Sequence, residues 1–507
     1  EYSYNRGTAY FDNIQLVRNS IETNLTASDF VIESTGVADG EPEETVDDTA
    51  PAFTEAKDAF GNQITETTFT DGEFGTVYRA FGYNVSENGA ANDGNDLVCE
   101  TDARGNKTNY TVDSLTSRNE EITDRLGNKT AYEYDASGKT TKVTSKTPDG
   151  NALATVSYTY DAFDNITGIT RGDGMKYALA YNAYHNLESI GVDGKTDNLI
   201  RYDYKNGNGK LKAMTYANGN TMRATYNSIG QLVSEKWYAT EAAAESALSP
   251  IAHYRYIYDG AGNIVRSLDI TAAKVYDYEY EEGKIVRAAE SDVTLSGEII
   301  TSKTLVNSVK YTYDTDGKLT KKVTLPRGGS PATTYYEHTD GNTVAKFSAG
   351  GKTVTSHSKT DSFGRKLFDE LQFGSGFVSR QFSYERGEAT DEHKTAEKLK
   401  SSPTTQLVSR IDFSDGRTVS YEYDAEERIT KVTDSIDGVT EYTYDALGQL
   451  LTETVNGVVV TAMVYDNYGN IASKNGIAYT YGDGVWKDLL TSYGDQAITY
   501  DAQGNPT

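Results

Sequence analysis

Tyr442-Thr443-Tyr444-Asp445-Ala446-Leu447-Gly448-Gln449-Leu450-Leu451 is the stretch from which the fold is read. Two tyrosines flank a polar residue, which is the period-two alternation of a strand with distinct faces. Asp445 opens a four-residue turn and Gly448 closes it, and a type I turn favours these residue types at those places. Leu450 begins a return strand. The stretch predicts the tip of a β-hairpin.

The pattern recurs. Tyr134-Asp135 leads to Gly138, Tyr160-Asp161 to Asp164, Tyr258-Asp259 to Gly262, Tyr313-Asp314 to Gly317, and Tyr465-Asp466 to Gly469. Tyr181-Asn182, Tyr226-Asn227, Tyr280-Glu281, Tyr423-Asp424 and Tyr500-Asp501 open further copies, with His185 in the glycine place of the first. Where the tyrosine is missing, the turn still reads from Asp58 to Gly61, Asp102 to Gly105, Asp124 to Gly127 and Asp361 to Gly364. Tyr423, Tyr444 and Tyr465 are 21 residues apart. A fixed period of that size marks a repeat architecture. One period holds two short strands and two turns, so the chain predicts on the order of forty strands, far beyond the ~10 at which an open sheet curls. Strand twist has one hand, and the sheet is expected to wind.

The unit resembles the YD repeat of the rearrangement-hotspot (Rhs) family, which also includes teneurins and the shell-forming components of insecticidal Tc toxins. The resemblance covers roughly residues 51–507. It implies an all-β fold: repetitive hairpins in one long antiparallel sheet, wound spirally into a hollow shell. It also implies a function, the encapsulation of a C-terminal effector by a secreted or surface-exposed bacterial protein. Full-length bacterial relatives close the shell with a core that in many members cleaves itself. Its motifs are absent through Thr507, so the chain is read as a fragment and no catalytic residue is carried over.

Composition agrees with a wetted wall. The chain has 507 residues and 39 tyrosines but is only 37% hydrophobic, too polar for one thick core. In repeats each unit packs only on its neighbours, so no such core is needed. The net charge of −27 argues against nucleic acid and anionic membrane, which require basic patches. Cys99 is alone and cannot form an internal disulfide. No apolar run is long enough for a membrane-spanning helix. Eight strands already mark the limit at which side chains fill a closed barrel, so a far longer wound sheet is expected to enclose water.

Flanking and inserted segments break the repeat. Residues 7–17 alternate like the closing strand of a jelly-roll carbohydrate-binding module. This gives a division into 1–20 (truncated module), 21–50 (acidic linker) and 51–507 (repeat shell). Residues 92–96 read as a second acidic turn. Residues 240–248 predict a short helix capped by Thr240 and ended by Pro250, and 391–400 a second one. Between 321 and 406 the signature fades, and irregular loops are expected there.

Chemistry is sought in vain. A dozen Tyr-Asp pairs at fixed spacing read as turns, since one active site needs one copy. Gly-Lys-Thr at Gly138, Gly194 and Gly351 lacks the upstream glycine of a phosphate-binding loop. His185, His253, His338, His357 and His393 make no zinc signature. The reading is therefore no catalytic residue, no cofactor and no metal. The partner is a C-terminal effector segment, and glycans are the partner in the alternative reading as an adhesive stalk.

Overall fold

The computed structural model describes residues 52–57, 63–69, 76–85, 93–205, 209–339, 342–361, 364–387 and 404–507. The expectations for 1–50, for the turn from Asp58 to Gly61 and for a helix at 391–400 lie outside these residues. The fold is all-β, with 37 strands in one sheet among the described residues. Each described strand pairs antiparallel with the next in sequence, from Ala52–Lys57 against Gln63–Phe69 to Ser492–Tyr493 against Gln496–Ala497. Such a meander forms when short alternating strands are joined by turns too tight for a crossover.

The strand ends define two rims. Turns after the Tyr-Asp pairs lie on one, the tyrosine rim. The turns between units, such as 171–175 and 434–438, lie on the other, the linking rim. Asp102 and Asp124 open turns on the linking rim, because each stands one strand before a tyrosine-rim turn: Lys129–Tyr134 carries the chain from one rim to the other. The sequence motif is the same on both rims.

The sheet is one layer thick over much of its length. Every residue of Ile429–Asp434 and Leu450–Val455 is half-buried. In Ala252–Tyr258 the three tyrosines are half-buried while Arg255 and Ile257 between them are exposed. Sixteen apolar side chains are buried among the described residues, in scattered positions and two small clusters. The helix α1, Glu241–Glu245, sits in a linking-rim connection. Thr240 caps it, its hydroxyl accepting from the Ala243 N–H (3.1 Å), and Ala244 seals against the sheet.

Two expectations are corrected. Residues 93–96 belong to the strand Asp93–Thr101, where pairing with Thr76–Val85 overrides the local turn chemistry. Between 321 and 386 the connections at 350–351 and 374–375 are tight rather than irregular. Ala349 and Lys352 are paired across Gly350 and Gly351, both left-handed (φ +58° and +76°), as a two-residue hairpin requires. The turn after Tyr280 is also of this tight kind, with Glu282 and Gly283 left-handed and Glu281 paired to Lys284.

Gly262 and Gly448 have φ of +93° and +79°. A β-branched side chain there is strained. Gly262→Val and Gly448→Val are each expected to lose about 1–2 kcal/mol or more. Unchanged thermal melting in both would contradict the turn geometry.

Candidate functional site: the tyrosine rim and the winding seam

The turn is built from backbone outward. At Asp445 the N–H donates to the Gln449 carbonyl (2.9 Å) and the Gly448 N–H donates to the Asp445 carbonyl (3.0 Å). One carboxylate oxygen accepts from the Leu447 and Gln449 N–H groups (2.9 and 2.8 Å). Asp135, Asp161, Asp259, Asp314 and Asp466 make the same set. This is a three-residue hairpin loop, a type I turn followed by a left-handed residue in a bulge. Asn165, Asn263 and Asn470 add an amide donor to the second carboxylate oxygen. The donors hold the Asp161 and Asp259 carboxyls below the usual range, the asparagine amide first. At Asp135 the Lys139 N–H is the largest cause.

The tyrosine before each turn ties one hairpin to the previous one. Neighbouring hairpins splay toward this rim: the last ladder pair between Ile429–Asp434 and Gly438–Tyr444 is Lys431 with Glu441. The Ile429 carbonyl, beyond that pair, accepts the Tyr444 hydroxyl instead (2.8 Å). The same bridge runs from Tyr134 to the Asn119 carbonyl, Tyr160 to Thr140, Tyr258 to Leu232 and Tyr313 to Ile285. Each acceptor is the first residue after the previous turn. A buried carbonyl left without a donor is costly, which is why this place takes tyrosine rather than phenylalanine. Burial pushes the Tyr134, Tyr160 and Tyr423 phenols up, so they stay protonated donors. The Tyr465 hydroxyl donates to the Met463 sulfur (3.1 Å). His338 takes the tyrosine's part, its Nε2 meeting the Leu319 carbonyl at 2.8 Å.

A cation completes the link. The last residue of one turn lies over the next unit's tyrosine ring: Arg118 over Tyr134, Lys139 over Tyr160, Lys284 over Tyr313 and Arg428 over Tyr444, at 4.7–5.7 Å from the ring centre. Ring, hydroxyl and cation thus join unit to unit along the rim.

The two rims meet where the sheet returns on itself. Arg104 of the linking rim donates to the carbonyls of Asp424 (2.5 Å) and Ala425 (3.0 Å), some 320 residues away. The Arg125 N–H donates to Glu426 (2.8 Å) and its guanidinium to Glu427 (2.9 Å). Further along, Arg171 pairs with Asp488 and lies over the Tyr468 ring. The Tyr177 hydroxyl donates to Asp488 (2.8 Å) and accepts from the Trp486 indole (3.2 Å). Trp486 is buried against Met175, Val192 and Leu199. The Ala217 N–H donates to Gln503 (3.0 Å) and Asn218 to Asp501 (3.0 Å). The linking rim of an earlier winding is therefore seated on the tyrosine rim of a later one.

The histidines are dispersed. His185 is left-handed in its turn (φ +63°) beside Phe163, His357 meets the edge of Phe368, and His393 lies outside the described residues. His253 is 4% exposed, 3.1 Å from the Ser234 hydroxyl and 3.8 Å from Glu298. The second distance is too long for the hydrogen bond a Ser-His-carboxylate relay needs. Burial, then Lys236, lowers the His253 pKa. The unfolded chain thus binds its proton more readily, so this stabilisation is full above about pH 6.5 and is lost as pH falls toward the depressed folded value. His253→Gln is expected to lose less stability than the parent between about pH 7.5 and 5.5. Equal losses in thermal melting would contradict this. No group of three or more His, Cys, Asp or Glu among the described residues is placed to hold a metal ion. No helix among them is long and apolar enough to cross a membrane.

Residues 404–505 match the family model described as Teneurin YD-shell. No curated protein matches. Among solved structures the chain is similar to TcdB2-TccC3-TEV, at 13% identity and a TM-score of 0.45, over 90% of this chain and 26% of that one. It is also similar to the Photorhabdus luminescens Tc holotoxin pore, at 13% identity and a TM-score of 0.30, over 90% of this chain and 29% of that one. The chain thus spans less than a third of the length of these solved chains. The matched stretch carries the same turn and tyrosine bridge as the strands before it, so the likeness to the Teneurin YD-shell model rests on residues 404–505 and on a repeat that runs through the earlier strands as well.

Proposed function

We propose that this chain is a wall segment of a hollow shell of the Rhs type, made by a secreted bacterial protein to hold a C-terminal effector away from its host. The observation that carries the reading is the seam. A single-layer sheet whose later strands seat on the rim of its earlier ones surrounds a space instead of filling it. Residues 51–507 act as one repeat unit of wall in this reading, with 1–20 as the end of a preceding module. The repeated Tyr-Asp turns serve the wall, and the role is structural rather than catalytic.

Small-angle scattering on the chain tests this. The expected result is a radius of gyration clearly above the roughly 23 Å of a compact globule of this length, with a scattering minimum typical of a shell. The globule value would overturn the reading. A rod profile would favour an adhesive, glycan-binding stalk.

A further inference from the structure

Under the seam, the linking rim is apolar and covered: Met175, Val192 and Leu199 are buried beneath Trp486. The same rim stays apolar beyond the seam, but there it is bare. Phe373, Ile436 and Val458 stand at or beside three linking-rim turns, with 48%, 68% and 64% of their surface exposed. The tyrosine rim shows the complementary contrast. The third residue of the turn is Tyr468 in the seam, lying under Arg171. In the earlier winding the same turn place holds Phe163, Tyr184 and Ile229, all at least 66% exposed. Turn tips in water do not call for large apolar side chains, and contiguous exposed apolar surface marks an interaction site.

We propose that the bare linking rim is a docking ledge, and that what it takes is the bare tyrosine rim of a second copy of this chain. The occupant follows from continuity. The seam already joins these two kinds of rim within one chain, with turn tips seated on linking-rim apolar side chains and carboxylates facing arginines. A second copy supplies the missing partner in the same orientation. The contact is head-to-tail, so each copy keeps one free rim of each kind, and association runs on to a ring or a filament. Both copies carry a net charge of −27, so salt that screens their repulsion tightens the contact. The inference stands on the seam and not on what the shell holds.

Sedimentation velocity over a concentration series tests it. The parent chain is expected to self-associate, more tightly at high salt. A linking-rim variant, Phe373→Ser with Ile436→Ser and Val458→Ser, should weaken association by about tenfold or more, as should a tyrosine-rim variant, Phe163→Ser with Ile229→Ser. Both should keep the parent melting temperature, since the changed residues are exposed. Mixed together, the two variants should form a one-to-one complex, because each retains the rim the other has lost. A parent that stays monomeric at every concentration overturns the proposal. So does association that neither variant weakens, or a mixture that forms no complex.

Discussion

Trp486→Ala is expected to open the seam while leaving distant hairpins intact. The indole is buried against Met175, Val192 and Leu199, donates to the Tyr177 hydroxyl, and carries the Lys195 ammonium over its ring at 4.9 Å. Truncating a buried tryptophan costs about 3–5 kcal/mol, part lost transfer energy and part cavity. In a repeat array such a loss stays with its neighbours. Three kcal/mol corresponds to roughly a hundredfold in an opening equilibrium. Amide exchange across residues 175–199 should accelerate by about that factor, while exchange in Leu319–Pro326 and Ala332–Thr339 stays at the parent rate. Unchanged exchange at 175–199 would mean that the seam does not hold the windings together.

Arg365→Ala is expected to be of similar size for a different reason. The side chains of Arg365 and Asp361 are 4% and 0% exposed and are joined at 2.7 Å. The guanidinium also donates to the Thr405 carbonyl (2.5 Å) and lies over the Tyr384 ring at 4.3 Å. It ties one turn both to its neighbour's tyrosine and to the strand Thr404–Phe413. Removing it takes the cation from a buried carboxylate, at a cost of about 3–5 kcal/mol. Arg365→Lys should recover only part, because an ammonium cannot bond both partners in one plane and cover the ring. Replacing both residues together by apolar ones should cost less than Arg365→Ala alone. Chemical denaturation of the four proteins decides it, and an Arg365→Ala midpoint equal to the parent's would contradict the account.

The hairpins were legible because their information is local. Asp445 and Gly448 lie three residues apart and read as a turn without help from the rest of the chain. The tyrosine's task was not legible: the Ile429 carbonyl that Tyr444 serves stands on the previous hairpin, and alternation alone reads that tyrosine as sheet packing. His338 was missed in that place, although Tyr336 two residues before it and Leu319 19 residues before it repeat the spacing. Tyr280 precedes the tight turn at Glu282 and Gly283 just as other tyrosines precede the longer loop, and only the closer spacing of Gly283 to Glu281 sets this copy apart. The seam lay beyond sequence reasoning. Arg171 and Asp488 meet across 317 residues, and no local pattern marks an arginine that will face a later winding.

The meander also dictates an order of assembly. Every described strand finds its ladder partner in the strand just before or after it, so each hairpin can form on the template left by the one before, as the chain emerges from the ribosome. Contacts this local favour fast folding for a β protein, and growth at one end adds no further edge to guard beyond those of the first strand and the newest. The seam is the exception. Arg104 waits for a turn more than 300 residues downstream, so the wall can close only after most of it has been synthesised. Until then the apolar side chains of Met175, Val192 and Leu199 wait without the indole that covers them in the finished fold.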